Sequence, residues 1–143
     1  MTVQSILSEK GGKVVTIQPT ASLADAAKLL AECRIGALVV TGAGDRVIGI
    51  VSERDIVRIL AARGAVGLGL PLTDVMTRKV VTCECSSTVS AVMELMTAGK
   101  FRHVPVVDGE KLTGIISIGD VVKLRLREME REQAALRDYI QTA

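Results

Sequence analysis

Aromatic rings are nearly absent: 143 residues contain one Phe, one Tyr and no Trp. Proteins that hold single-stranded nucleic acid without sequence preference stack bases on such rings. Two rings and a net charge of +2 argue against that mode, and against nucleic-acid binding by bulk electrostatics. Histidine occurs once, at His103, which leaves no His cluster for a metal or a proton relay. Cysteine occurs three times, at Cys33, Cys83 and Cys85, an odd number without framework spacing. A reducing cytoplasm is the simplest setting for them. No apolar run approaches a membrane span. Met1-Thr2-Val3-Gln4 lacks the basic and apolar regions of a signal peptide. Phosphate-binding glycine loop, nucleophile elbow, paired catalytic acids and zinc spacing are all missing. The expectation is therefore no membrane, no nucleic acid, no metal and no enzyme.

Aliphatic residues are plentiful. Apolar residues make up 48% of the chain, and the mean hydropathy is +0.38. That suffices for the core of one compact domain without disulfides or metal. The aliphatic stretches also repeat. Val14-Val15-Thr16 reappears as Val80-Val81-Thr82. Gly49-Ile50-Val51-Ser52-Glu53-Arg54-Asp55 reappears as Gly114-Ile115-Ile116-Ser117-Ile118-Gly119-Asp120. From Val14/Val80 to Val57/Val122 eleven positions are identical, at an offset of 66 before the hairpin and 65 after it. A tandem repeat predicts a pseudo-symmetric fold with paired clefts.

Each repeat reads strand, helix, strand, strand, helix. Val14–Ile17 is a β-branched strand closed by Pro19. Ser22 caps a helix carrying Leu23, Ala26, Ala27, Leu29 and Leu30. Gly36 leads into the apolar strand Ala37–Val40, and Gly42–Asp45 turns the chain into Val47–Val51. The next helix starts at Ser52, with Ile56, Val57, Ile59 and Leu60 expected on its buried side. In the second repeat Thr88 caps a helix with Val89, Val92, Met93, Leu95 and Met96. Val104–Val107 and Leu112–Ile116 flank the turn Asp108-Gly109. Short helices at Val3–Leu7 and Leu72–Met76 precede the repeats. The expected divisions are 1–63, a Gly-rich linker at 64–71, 72–125, and an extension at 126–143.

The extension breaks the repeat. Asp120 to Gln141 contains neither Pro nor Gly, and Val122, Leu126, Met129, Leu136 and Ile140 follow a 4-3 spacing with Gln133 in the gap. This is one long amphipathic helix. It either folds back on its own domain or, the favoured reading, packs on a second subunit as a homodimer. Its span is too short for a stable isolated coiled coil.

The two Gly-x-x-Ser-x-x-Asp segments are the most specific signal. Ser-x-x-Asp at a helix start resembles a capping box, which stabilises by about 0.5–2 kcal/mol. A helix N-terminus also offers free N–H groups and partial positive charge to a phosphate, while the Asp can accept both ribose hydroxyls. Capping and nucleotide binding are compatible, and recurrence at the same structural place favours binding.

Residues 5–125 resemble a tandem pair of cystathionine beta-synthase (CBS) domains. The resemblance rests on Gly36–Val40, on Arg102-His103-Val104-Pro105-Val106-Val107 and on the two Gly-x-x-Ser-x-x-Asp segments. It implies an α/β (α+β) fold of two β-α-β-β-α units packed pseudo-symmetrically through their sheets. It also implies clefts that bind AMP, or ADP, ATP, NAD or S-adenosylmethionine, as a regulatory ligand. Asp55 and Asp120 then match the ribose carboxylates, and Ser52 and Ser117 the hydroxyls near phosphate. Thr16, Ile17 and Pro19, with Thr82, Cys83 and Cys85, match the strand edge that reads adenine. Gly36, Ala37 and Leu38, with Arg102, His103, Val104 and Pro105, match the segment after the first helix, with aliphatic side chains sandwiching the base. Arg54 has no side-chain counterpart at Gly119, and Arg102-His103 face Gly36-Ala37 in the alignment, so the two clefts are expected to differ. Small buried residues are the reading for Cys83 and Cys85. The resemblance further implies a nucleotide sensor that regulates an unidentified protein. The alternatives are an interaction module with vestigial clefts and, more remotely, a weak nucleotide-processing enzyme.

Overall fold

Hydroxyl side chains start the long helices. Ser22 caps α2 (Leu23–Cys33), Ser52 caps α3 (Glu53–Arg63) and Thr88 caps α5 (Val89–Gly99), each accepting from a backbone N–H in the first turn. The computed structural model describes residues 1–142, so Ala143 of the expected extension lies outside the described residues. α1 (Val3–Lys10) opens the chain, followed by β1 (Thr16–Ile17), α2, β2 (Ala37–Thr41), β3 (Val47–Ser52) and α3. A 3-10 segment at Gly64–Gly69 leads to α4 (Leu72–Val75), then α5, β4 (His103–Asp108), β5 (Lys111–Ser117) and α6 (Ile118–Thr142).

Two sheets result. β1 runs parallel to β2, which pairs antiparallel with β3; β4 and β5 form an antiparallel pair. The expected strand Val14–Ile17 is shorter than its sequence pattern, with only Thr16 and Ile17 in the ladder. Its counterpart at Val80–Thr82 forms no strand; Cys83 alone bridges parallel to Val106. Val80 and Val81 instead face the space between the repeats.

The two hydrophobic cores are interlaced. α2, β2 and β3 contribute Leu23, Ala26, Leu30, Leu38, Val40 and Val51 to one cluster, and α4 with its C-cap adds Leu72, Val75 and Met76. The other cluster joins Val89, Val92, Met96, Val104, Val106 and Ile116 to Val3, Ile6 and Leu7 of α1. Each entry helix therefore fills the core built by the other repeat. Backbone clips fix both crossings. The Leu23 N–H donates to Leu70 O at 2.9 Å and that of Leu72 to Ala21 O at 2.9 Å; the Val3 N–H donates to Ser87 O at 2.9 Å and that of Val89 to Met1 O at 3.0 Å.

This crossing explains the repeated glycine. A Cβ at Gly49 would overlap the Met76 side chain, and one at Gly114 would meet Leu7 Cδ2 at 2.8 Å. Close-packed cores do not absorb an added methyl group freely. Gly49 and Gly114 are thus small because a helix from elsewhere in the chain lies on each hairpin.

Two helix faces differ from expectation. Ile56 and Ile59 are half-buried in α3, but Val57 and Leu60 are exposed, since Val57 faces the cavity between the repeats. Met93 and Leu95 of α5 also remain exposed. α6 starts two residues before Asp120 and runs through Thr142. Only Val121 and Leu124 of α6 are buried; the 4-3 stripe is exposed and does not fold back on its own domain.

Candidate functional site

Hairpin register brings the two predicted halves of each motif together. Ala37 lies opposite Ser52 across β2–β3, and His103 lies opposite Ser117 across β4–β5. The Glu53 N–H donates to Gly36 O at 3.0 Å, and the Ile118 N–H donates to Arg102 O at 2.8 Å. The helix that follows each Ser is thereby tied to the segment that follows the preceding helix.

A cavity of about 870 Å³ opens between the repeats. It gathers Gly36, Ala37, Ser52, Arg54 and Asp55 from the first repeat with Arg102, His103 and Ser117 from the second. Gly36 is needed there for a packing reason, since a Cβ on it would stand 3.1 Å from His103 Cε1. The expected Gly36/Arg102 and Ala37/His103 contrast between two clefts is therefore a complementarity within one cavity.

Other expected residues sit elsewhere. Leu38 and Val104 are fully buried in the two cores, Pro105 is buried within β4, and Cys83 is buried beside that strand. Burial, helped by the charges of Cys85 and Glu84, pushes the Cys83 thiol up to about 11, which suits a core residue and not a reactive thiolate. Thr16, Ile17, Pro19, Thr82, Cys85 and Asp120 are not among the lining residues.

The lining also includes residues the sequence reading passed over. Arg58, Lys79 and Lys100 join Arg54 and Arg102, so five cationic side chains face two acids, Glu53 and Asp55. Ile50, Thr77, Val80, Val81 and Ile118 add lining surface, and so does Phe101, the single Phe of the chain. Thr77 reaches the first repeat through paired backbone bonds with Ile50, both 3.0 Å. Lys100 and Phe101 directly precede the Arg102-His103 segment, which was the available signal. Nothing in the repeat pattern marked Thr77, and Lys79 repeats Lys13 just ahead of the matched strand segment.

The two aspartates differ. Asp55 is 8% exposed. Its Oδ2 accepts from the Ser52 N–H at 2.9 Å and Oγ at 3.1 Å, and its Oδ1 accepts from Arg58 Nη2 at 3.0 Å. Asp120 Oδ2 accepts from the Ser117 N–H at 2.9 Å and from Lys10 Nζ at 2.7 Å, and Lys10 also donates to Ile115 O at 2.8 Å. Burial opposes ionisation of Asp120, but the Lys10 ammonium and the Ser117 N–H outweigh it and hold the carboxyl below its ordinary value. The same capping geometry occurs at Ser22–Asp25, away from the cavity. Capping therefore accounts for these hydrogen bonds by itself, and only the position of Ser52–Asp55 on the cavity sets it apart.

His103 titrates below its usual value of 6.5, chiefly through burial, with Glu53 pulling the other way. The unfolded chain then binds this proton at higher pH than the native one. Stability attributable to His103 is complete above about 6.5 and declines as pH falls below it, by at most about 1.4 kcal/mol per pH unit for one proton. Asp120, with its lowered value, acts in a separate and more acidic window. Thermal denaturation at pH 7.5, 6.5 and 5.5 should show a decline in the parent that is shallower in His103→Gln.

The family model of the CBS domain matches residues 3–62 and 72–127. The chain belongs to the CBS-domain family and folds as a CBS pair. It is 32% identical over 148 aligned positions to the CBS domain-containing protein CBSX3, mitochondrial, of Arabidopsis thaliana, covering 98% of this chain and 72% of that protein. The crystal structure of the CBS-domain containing protein ATU1752 from Agrobacterium tumefaciens superposes with a TM-score of 0.83 at 48% identity, over 87% of this chain and 92% of that one. The CBS domain pair of protein MJ0100, in complex with 5′-methylthioadenosine and S-adenosyl-L-methionine, superposes with a TM-score of 0.80 at 26% identity, over 90% and 98% of the chains. Among the described residues no helix is long and apolar enough to cross a membrane, and no three His, Cys, Asp or Glu side chains cluster as metal ligands.

Proposed function

We propose that the cavity binds an adenosine compound and that the protein is a regulatory module, not an enzyme. AMP is the leading ligand; ADP, ATP, NAD and S-adenosylmethionine are the others. The observation that carries this is the lining: two capped helix starts and five Lys or Arg side chains around a cavity of about 870 Å³. That volume falls within the usual range of small-molecule sites. Cations and helix N-termini favour phosphate. Asp55 would take the ribose hydroxyls, Ser52 with Arg54 and Arg102 the phosphate, and Phe101 with the aliphatic lining the base. The adenosine ligands of MJ0100 support the same ligand class. Occupancy would favour one relative orientation of the repeats, to the extent that affinity differs between orientations. A homodimer and a regulated protein would read that change, and the unpaired thiols favour the cytoplasm.

The self-satisfied hydrogen bonds of Ser52–Asp55 favour a second reading, an interaction module with vestigial clefts. Thermal unfolding separates the two. AMP should raise the melting temperature progressively with concentration, more than adenosine or inorganic phosphate. An unchanged melting temperature with all of AMP, ADP, ATP, NAD and S-adenosylmethionine would favour the interaction module.

A further inference from the structure

α6 presents two opposite faces. Val121 and Leu124 pack on the domain, and Arg127 reaches Glu9 of α1. At 3.6 residues per turn the stripe Val122, Leu126, Met129, Gln133, Leu136 and Ile140 lies about 150° around the helix from that face. Its five apolar members are each more than half exposed. Beyond Glu128 every described residue of α6 is exposed, so about the last four turns leave the domain.

The stripe is a heptad seam with Leu126, Gln133 and Ile140 at a and Val122, Met129 and Leu136 at d. The flanking positions carry charge. Arg125 and Glu132 occupy g, and Glu130 and Arg137 occupy e. In a parallel pair each g residue meets the e residue five positions on in its partner. Arg125 then faces Glu130, and Glu132 faces Arg137; the two-fold axis doubles both pairs. In the antiparallel register that aligns the same a and d layers, g meets g and e meets e. Glu130 then faces Glu130, Glu132 faces Glu132, and Lys123 faces Arg137. Charge complementarity selects the parallel arrangement, and a polar Gln133 at an a position fixes its register at some cost in stability.

We propose that α6 pairs in parallel with α6 of a second copy, seam to seam, and that this pairing sets the orientation of the dimer. The inference deepens the dimer part of the proposed function and stands independently of nucleotide binding. The module itself must add contacts, because a seam of fewer than three heptads is marginal alone.

The test is thiol cross-linking of the full chain in a Cys33→Ser background, since Cys33 is exposed. Leu136→Cys should cross-link to itself without nucleotide, while the background protein should not. In an antiparallel pair residue 136 faces 126 instead, about 15 Å away along the helix. Cross-linking only in a mixture of Leu126→Cys and Leu136→Cys proteins would overturn the parallel arrangement. No cross-linking in any combination would overturn the pairing itself. Both sites are exposed, so neither variant threatens the fold. Glu132→Lys should weaken the Leu136→Cys dimer severalfold, and Glu132→Lys with Arg137→Glu should restore it. Equal dimerisation of all three proteins would contradict the charge assignment.

Discussion

Leu72→Ala is expected to cost about 2–5 kcal/mol, the range for truncating a fully buried leucine. Leu72 is fully buried among the side chains of α2, β2 and β3, although it follows the first repeat in sequence. The backbone bonds from Leu23 to Leu70 and from Leu72 to Ala21, both 2.9 Å, pin α4 in place. Those bonds limit how far the site can collapse around the missing side chain, which keeps the cost in the upper part of the range. At about 3 °C per kcal/mol for a chain of this size, the melting temperature should fall by roughly 10 °C. Val81→Ala, at an exposed position, should cost less than about 1 kcal/mol. Urea denaturation of both variants checks this. A loss below about 1 kcal/mol for Leu72→Ala would mean that α4 is a tether and not part of the first core.

Asp55→Asn should weaken adenosine-nucleotide binding by about 1–3 kcal/mol, or roughly 5- to 150-fold, if its carboxylate takes the ribose hydroxyls. Asn retains one side-chain oxygen that can accept from Ser52, so the start of α3 should survive. Asp120→Asn should have a much smaller effect. Arg58, the partner of Asp55 Oδ1, is a side chain 64% exposed, whereas Lys10, the partner of Asp120, is 31% exposed and holds Ile115 O as well. Releasing Asp55 to a ligand frees a guanidinium already largely in water. Releasing Asp120 breaks its bond to a half-buried ammonium that Ile115 O keeps in place. Calorimetric titration of both variants with AMP checks the contrast, and equal losses would contradict it.

Much of the fold was legible because the physics is local. Ser22, Ser52 and Thr88 mark helix starts through hydrogen bonds within four residues, and β2 to β5 are aliphatic-rich runs around short turns. The interlaced cores were not legible. Val3 and Leu72 look alike in either repeat, and only three-dimensional packing decides which core each one enters. Val80 and Val81 have strand propensity but no partner strand, so they line the cavity instead. Ser52, Arg54, Asp55, Arg102 and His103 could be read as cavity-lining candidates because they cluster at helix starts and hairpin ends. Thr77 and Lys79 could not, since they reach the cavity through the crossing chain. Lys10 closes on Asp120 from α1, 110 residues away, a pairing that no spacing within the repeats encodes.

Calorimetric titration of the ligand-free wild-type protein with AMP, ADP, ATP, NAD and S-adenosylmethionine tests the central claim most directly. The lining of the cavity predicts saturable binding of at least one of them, weakened when the ribose is 2′-deoxy because Asp55 would lose a partner. No heat of binding with any of the five would contradict a nucleotide-binding cavity.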